Sequence, residues 1–160
     1  MTKFEELCRA YDTARRNYSD YKRDCNDFVL KLVNGLIDFL QCPKEQIKII
    51  PLNKEYDPKF KYFSGGTMYL DDDTFWHIGV GITLYKDPNI LPHETVLIRL
   101  LIKKKNASFI VKTGKDGKEF TINNDNSDDL RKIYDHIFKH VEETYKMGLK
   151  CFPEQNNTTR

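Results

Sequence analysis

The chain has 160 residues, of which 39% are apolar and 31% charged, and its formal net charge at pH 7 is +2. This length suits one domain whose core needs neither disulfides nor metals, and the composition is too aromatic for a disordered chain and too polar for a membrane protein. The near balance of charge neither requires nor excludes a polyanionic partner, so any basic site must be a local patch.

The N-terminus and the cysteines both indicate a cytoplasmic protein. Glu5 and Glu6 occupy positions where a secretory signal would have its apolar region, and no part of the sequence approaches the ~20 apolar residues of a membrane span. The four cysteines, at positions 8, 25, 42 and 151, include no Cys-x-x-Cys pair. Reduced thiols are therefore expected, without a zinc site, a disulfide framework or a cofactor.

Residues 2–41 are predicted to form one long helix, because apolar or aromatic side chains recur at steps of three and four residues. Pro43 stops the helix, which at 1.5 Å per residue would be ~60 Å long and exceed the width of such a domain. We expect it either to kink near Gly35 or to project from the domain. The seam consists of Phe4, Leu7, Tyr11, Ala14, Tyr18, Tyr21, Cys25, Phe28, Leu32 and Phe39.

The two halves of this helix differ in character. Tyr11, Tyr18 and Tyr21 in the first half are flanked by charged residues, whereas the stretch from Phe28 to Leu40 is densely aliphatic. The second half is therefore interpreted as core and the first half as a surface for a partner.

Between residues 47 and 122 the period changes to two and turn signals recur, which predicts an antiparallel meander of about five to six strands. The main strands are expected over 47–52, 74–85, 94–103, 108–113 and 118–122, with a loop over 86–93. A glycine turn at 64–67 is predicted to close a small hairpin between 61–63 and 68–70.

The turns also predict which residues face one another across the sheet. A tight turn at Lys105-Asn106 places Ile102 opposite Phe109, and a turn at Asp116-Gly117 places Val111 opposite Ile122. With Tyr85 near Thr95, the three connections agree on one apolar face, which we interpret as the core. That face consists of Trp76, Ile78, Val80, Ile82, Leu84, Val96, Ile98, Leu100, Ile102, Phe109, Val111, Phe120 and Ile122.

A second helix is predicted over residues 127–147, since capping and acidic residues precede an apolar stripe that ends at Gly148. Residues 150–160 are expected to be a flexible tail. The predicted fold class is therefore α+β, a two-layer sandwich in which an antiparallel sheet is flanked by a long N-terminal helix and a C-terminal helix within a single domain.

The opposite face of the sheet is the most suggestive candidate site. Gly79 and Gly81 project no side chain there, Arg99 would lie opposite Gly81, and Lys103 would lie opposite His77. Together with Lys112 these residues would form a shallow floor edged by cations, suited to a phosphate or a nucleic-acid backbone. The alternatives are a solvated face or a mixed face covered by a second subunit. We predict that nothing from the same chain covers Gly79 and Gly81.

Two further groups contain metal-binding atom types. Asp71, Asp72 and Asp73 with His77, and the distant His93-Glu94, have ligands that divalent ions accept, although aspartates also form turns. His136 and His140 are one helical turn apart, but no third ligand is implied and surface positions explain them. Nucleophile, Walker and dinucleotide motifs are missing from the sequence.

Three functional hypotheses follow. The first is a non-enzymatic binding or adaptor protein that self-associates, as a homodimer, through the first helix or the mixed sheet face, because patterned apolar surface exceeds what one domain buries. The second is nucleic-acid or phosphate-ligand binding on the face of Arg99, Lys103 and Lys112. The third is a metal-dependent hydrolase that uses Asp71 to Asp73 and His77.

Overall fold

A computed structural model describes residues 1–87, 90–114, 117–123 and 126–159, and describes only the backbone of residue 90 and of 148–159. It confirms the α+β architecture, with an open antiparallel sheet, a long N-terminal helix and a C-terminal helix. The elements are α1 (Lys3–Leu40), a 3-10 turn (Lys44–Gln46), β1 (Ile47–Ile50), α2 (Ser64–Thr67), β2 (Tyr69–Leu70), β3 (Trp76–Asp87), β4 (Ile90–Lys105), β5 (Ser108–Thr113), β6 (Glu119–Asn123) and α3 (Ser127–Thr159).

Helix α1 begins and ends at strong local signals. Thr2 and Glu5 form a capping box, in which the Glu5 N–H donates to Thr2 Oγ1 at 3.1 Å and the Thr2 N–H donates to Glu5 Oε2 at 2.7 Å. The helix ends at Gln41, which adopts a left-handed φ of 53° shortly before Pro43. The 38 residues form one uninterrupted helix through Gly35, about 57 Å long. Residues 1–20 are all exposed except Asp12, so this end of the helix projects.

The sheet has the order β1-β3-β4-β5-β6, and every neighbouring pair is antiparallel. Strand β3 is an inner strand, because β4 pairs along one edge of it while β1 and β2 share the other. Strand β5 pairs with β4 only over Leu100–Lys105. Residues 90–99 of β4 therefore have no neighbouring strand on that side within the described part of the chain.

In each of the three strand pairs, the observed register differs by two residues from the predicted one. Ile102 pairs with Val111 instead of Phe109, and Val111 pairs with Phe120 instead of Ile122. Thr83, not Tyr85, lies opposite Thr95. The turn between β4 and β5 is one residue later than predicted, at 106–107, where Asn106 supplies a positive φ of 57°. Residues 115 and 116, which include the first residue of the predicted Asp116-Gly117 turn, lie outside the described residues.

An even displacement leaves every side chain on its predicted face, and the core face is confirmed. Its sheet residues are buried against the second half of α1 and the first half of α3. Leu84 is an exception at 37% exposure, and Val96 and Phe109 are only half-buried. The helices contribute Cys25, Phe28, Val29, Leu32 and Leu36 from α1 and Leu130, Ile133, Tyr134 and Ile137 from α3.

The structure corrects two local predictions within the sheet region. Residues Ser64–Thr67 form a short helix instead of a hairpin turn, because the N–H groups of Thr67 and Met68 bond four residues back and the Ser64 hydroxyl bonds to Asn26 of α1. Strands β3 and β4 extend to Asp87 and Ile90, which shortens the predicted loop over 86–93.

The C-terminal helix also differs from the prediction. The sequence places its end at Gly148, yet the helical backbone continues to Thr159 through much of the predicted tail. A glycine inside a helix costs about 1 kcal/mol relative to alanine and does not by itself end the helix. No helix in the described residues is long and apolar enough to cross a bilayer.

Candidate binding surfaces

The first candidate surface is the N-terminal arm, residues 3–20 of α1. Phe4, Leu7, Tyr11 and Tyr18 are exposed at 73%, 68%, 70% and 50%. Their spacings of three, four and seven residues place them on one side of the helix. The arm therefore presents a continuous apolar stripe to solvent, which is unusual for a stable monomer surface.

The base of the arm is fastened to the sheet by aromatic contacts. The rings of Tyr18 and Tyr21 lie 6.2 and 6.3 Å from the buried ring of Trp76, and Lys22 Nζ lies 5.9 Å from the same ring. The backbone N–H of Lys104 donates to the Tyr21 hydroxyl at 3.4 Å. Burial, followed by the nearby Cys25, raises the pKa of Tyr21. Tyr21 is thus half-buried against its own domain, while Tyr11 and Tyr18 remain exposed.

The charges along the arm are balanced and largely paired within the helix. Lys3 pairs with Glu6 at 3.2 Å, and Asp12 accepts from Arg15 at 2.9 Å and from Arg16 at 2.6 Å. These pairs leave the apolar stripe uninterrupted. The charged side chains over residues 3–20 are the cations Lys3, Arg9, Arg15 and Arg16 and the anions Glu5, Glu6, Asp12 and Asp20.

The second surface is the mixed sheet face, and here the prediction that nothing from the same chain covers Gly79 and Gly81 is wrong. A β-carbon at Gly79 would lie 2.6 Å from the Ile50 backbone oxygen and 3.0 Å from Leu52 Cδ2, and one at Gly81 would collide with Ile50 Cδ1. Because β1 pairs Ile50 with Gly79, the isoleucine side chain shares this face and fills the space that the two glycines leave. No open floor exists at these glycines.

The cations predicted for this floor also occupy other positions. Arg99 lies opposite Gly79 instead of Gly81, and His77 lies opposite Leu101 instead of Lys103. His77 is only 5% exposed, and its Nε2 lies 2.8 Å from Asp73 Oδ2. The displaced register accounts for the new neighbours.

The two lysines of the mixed face contact side chains of their own chain. Lys103 Nζ donates to Thr74 Oγ1 at 2.9 Å and lies 5.7 Å from the ring of Phe75. Lys112 Nζ lies 5.1 Å from the same ring and 3.9 Å from Glu119 Oε2. Both cations therefore flank one aromatic ring, and a polyanion would have to compete with these contacts.

The aspartates at 71–73 form the turn that precedes β3. The Asp71 N–H donates to the Phe75 backbone oxygen, Asp73 Oδ1 accepts from the Phe75 N–H, and Thr74 has a positive φ of 69°. Such side-chain bonds are typical of aspartate turns. Within the described residues, no group of three or more His, Cys, Asp or Glu side chains is arranged to hold a metal. The distant Glu94 accepts from the Tyr145 hydroxyl at 2.8 Å.

A third surface, not predicted from the sequence, is a cleft of about 380 Å³ between β4, the turn after β5, and α3. His136 is half-buried in it, 3.3 Å from Thr113 Oγ1 and edge-on to the ring of Phe120 at 5.3 Å. Burial, followed by the positive Lys118 and His140, lowers the pKa of His136. The residues that line the cleft are Leu97, Ile98, Arg99, Thr113, Gly114, Gly117, Lys118, His136, Ile137 and His140.

The helical spacing of His136 and His140 was the one sequence signal for this cleft. Arg99 and Lys118 join them only through the fold, because β4 extends past the end of β5 and the following turn returns beside α3.

Comparisons with models of protein families, with curated proteins and with solved structures found no match. The functional argument therefore depends on these three surfaces.

Proposed function

We propose that this protein is a non-enzymatic binding protein that forms a homodimer through the apolar stripe of its N-terminal arm. The observation that carries the proposal is the exposure of Phe4, Leu7 and Tyr11 at 68% or more on one side of a helix. Large apolar side chains gathered in this way favour association, because each gains free energy when it is removed from water.

A second copy of the chain suits this surface for two reasons. The four cations and four anions of residues 3–20 balance, so two arms can approach without net charge repulsion. The alternation of three- and four-residue steps is the period of a coiled coil, and a helix with the same period supplies the matching partner. In a twofold dimer the same patch would serve both copies.

The size of the stripe argues for a weak and reversible dimer. A fully buried aromatic side chain contributes about 150–250 Å², so the exposed parts of Phe4, Tyr11 and Tyr18 offer on the order of 300–450 Å² per copy. Two copies would bury roughly 600–900 Å² through these rings, slightly below the ~1,000 Å² of a specific interface. The remaining buried area must come from Leu7 and from the aliphatic parts of flanking charged side chains.

Sedimentation equilibrium across protein concentration tests the proposal. We expect a monomer–dimer equilibrium with a Kd on the order of 10 μM. Tyr11→Glu and Leu7→Glu should each abolish the dimer, because a carboxylate would have to be buried within the stripe. Thr13→Glu is the matched control, since position 13 is exposed on another side of the helix.

Each outcome has a definite meaning. Loss of the dimer in Tyr11→Glu but not in Thr13→Glu supports the arm as the interface, provided that circular dichroism shows the same helix content in both variants. A strict monomer up to about 500 μM, well above the affinity expected for this area, overturns the proposal. Equal dimerisation of all three variants would move the interface elsewhere, and the arm would lose its role.

The same proposal includes a cytoplasmic location. Among the described cysteines, Cys8, Cys25 and Cys42 are all free thiols, the form that reducing compartments maintain.

A further inference from the structure

The loop between β1 and α2, residues 51–63, contains no helix or strand. Loops of such length without secondary structure are uncommon in a compact domain and are usually either functional or disordered. Three hydrogen bonds at Asp57 fold this loop back on itself. The Asp57 N–H donates to the Tyr62 hydroxyl at 3.0 Å, and Asp57 Oδ1 accepts from the Lys59 N–H at 3.0 Å. The Asp57 backbone oxygen accepts from the Phe60 N–H at 3.1 Å, so the loop has a defined shape that can position its side chains.

Aromatic rings gather on this loop. The ring of Tyr62 lies 5.7 Å from that of Tyr56 and 4.8 Å from that of Phe60. Phe60 is 60% exposed, and Phe63 at the end of the loop is 68% exposed. Neither phenylalanine belongs to the hydrophobic core. Large apolar side chains that cluster in solvent mark a contact surface.

Three exposed lysines, Lys54, Lys59 and Lys61, accompany these rings. Lys54 Nζ lies 5.5 Å from the ring of Tyr62, and Lys61 Nζ lies 5.6 Å from the ring of Phe63. None of the three lysines forms an ion pair with an acid in the described ranges of the chain. The loop therefore offers cations beside exposed rings, where one ligand can contact both.

The acids of the loop restrict the kind of partner. Glu55 and Asp57 nearly balance the three lysines, so the local charge is too low for binding through phosphate contacts alone. A bilayer is also a poor partner, because insertion of Phe60 and Phe63 among acyl chains would carry the neighbouring charged groups out of water. A polymer that offers flat rings and phosphates in alternation suits the surface best. Single-stranded nucleic acid has this chemistry, since its bases are free to stack on aromatic side chains.

We propose that residues 54–63 form a stacking platform for single-stranded nucleic acid. Bases stack on the rings of Phe60 and Phe63, and the ammonium groups of Lys59 and Lys61 contact the adjoining phosphates. Such stacking tolerates any base sequence, because every base has a flat face. The platform shares no residue with the N-terminal arm, so this inference does not rest on self-association.

Fluorescence anisotropy of a labelled oligothymidylate of about twelve nucleotides tests the proposal. We expect a Kd on the order of 100 μM or lower at about 50 mM salt. An abasic strand of the same length carries the same phosphates, and it should bind at least about fivefold more weakly because it cannot stack. The logarithm of Kd should rise with the logarithm of salt concentration with a slope of about 1.4, the value for two phosphate contacts.

Variants with matched controls locate the binding surface. Phe60→Ala and Phe63→Ala should each weaken oligothymidylate binding by about fivefold or more, and Phe60→Tyr should retain it. Phe138→Ala is the aromatic control, because Phe138 is 46% exposed on α3, outside the loop, and it should leave the Kd unchanged. Lys61→Gln should lower the salt slope by about 0.7, whereas Lys139→Gln, which removes an exposed lysine of α3, should not. Circular dichroism checks that every variant keeps the fold.

Four results would overturn the proposal. The first is no binding of oligothymidylate at protein concentrations up to about 1 mM. Equal binding of the abasic strand would reduce the contact to charge alone, and equal weakening in Phe60→Ala and Phe138→Ala would move it away from the loop. Phe60-dependent binding to vesicles of phosphatidylserine and phosphatidylcholine, without binding of the oligonucleotide, would assign the loop to a membrane surface instead.

Discussion

Tyr134 of α3 lies over Gly35 of α1, and its hydroxyl donates a hydrogen bond to the backbone oxygen of Leu32, 2.9 Å away. A β-carbon at position 35 would collide with that hydroxyl and lie 2.9 Å from ring carbon Cζ. The glycine therefore allows the two helices to approach closely while α1 continues through it. The ring of Phe39, 5.7 Å from that of Tyr134, completes this contact.

Replacement of Gly35 by alanine should destabilise the protein. Alanine is the better helix former by about 1 kcal/mol, but the collision with Tyr134 should outweigh that gain and leave a net loss of about 1–3 kcal/mol. Urea unfolding measures the loss. The double variant Gly35→Ala with Tyr134→Phe should lose less than the sum of the single changes, because phenylalanine lacks the colliding oxygen. Strictly additive losses would contradict a direct contact.

Stability should fall at alkaline pH. Burial raises the pKa of Cys25 from 9.0 to about 11, and burial together with Asp38 raises that of Tyr134 from 10.0 to about 12. The unfolded chain therefore releases these protons first as the pH rises. Each two-unit difference in pKa between the folded and the unfolded chain contributes about 2–3 kcal/mol to the free energy of unfolding. For Cys25 this contribution is fully present below pH 9 and is lost as the pH rises to 11. For Tyr134 it is fully present below pH 10 and is lost as the pH rises to 12.

Urea titrations at pH 8, 10 and 11 measure this decline. In Tyr134→Phe the part of the decline above pH 10 should shrink, although the variant starts from a lower stability because the bond to Leu32 is lost. A free energy of unfolding that is constant to pH 11 would contradict the burial of these two groups.

The apolar core could be predicted from the sequence because the strands have a period of two. Each register is displaced by two residues, so Val111 pairs with Phe120 instead of Ile122 yet both partners face the helices. The hydrophobic pattern determines which face of a strand is buried, whereas the turn determines the register. The position of the turn at 106–107 depends on which residue adopts a positive φ, and several neighbouring residues in the sequence could do so.

The candidate sites were less predictable, since they depend on contacts between distant segments. Alternation alone placed Gly79 and Gly81 on the mixed face, but only the pairing of β1 with β3 reveals that Ile50 covers them. Likewise, His136 meets Lys118 only because the turn after β5 returns beside α3. The exposed stripe of the arm was predictable, because a helix longer than its domain cannot bury all of its seam.

The cysteines should differ strongly in reactivity. Cys8 is exposed on the arm, Cys42 is half-buried with a pKa raised by burial, and Cys25 is 0% exposed. In a Cys151→Ser background, a chromogenic disulfide reagent at pH 8 should modify Cys8 fastest, Cys42 more slowly and Cys25 only on unfolding. The further change Cys8→Ser should remove the fast phase. Rapid modification of Cys25 in native protein would contradict its burial.

Gly81→Ala should destabilise the sheet, because the added β-carbon would collide with Ile50 Cδ1 and lie 3.0 Å from Thr95 Cγ2. We expect a loss of about 1–3 kcal/mol in urea unfolding. Adding Ile50→Val removes the colliding methyl group and should recover part of the loss. Gly66→Ala is the control, since a β-carbon there meets nothing within 4 Å, and it should be neutral or stabilise by up to about 1 kcal/mol. If Gly81→Ala proved as harmless as Gly66→Ala, Ile50 would not cover this face, and the glycines would again be open to a ligand.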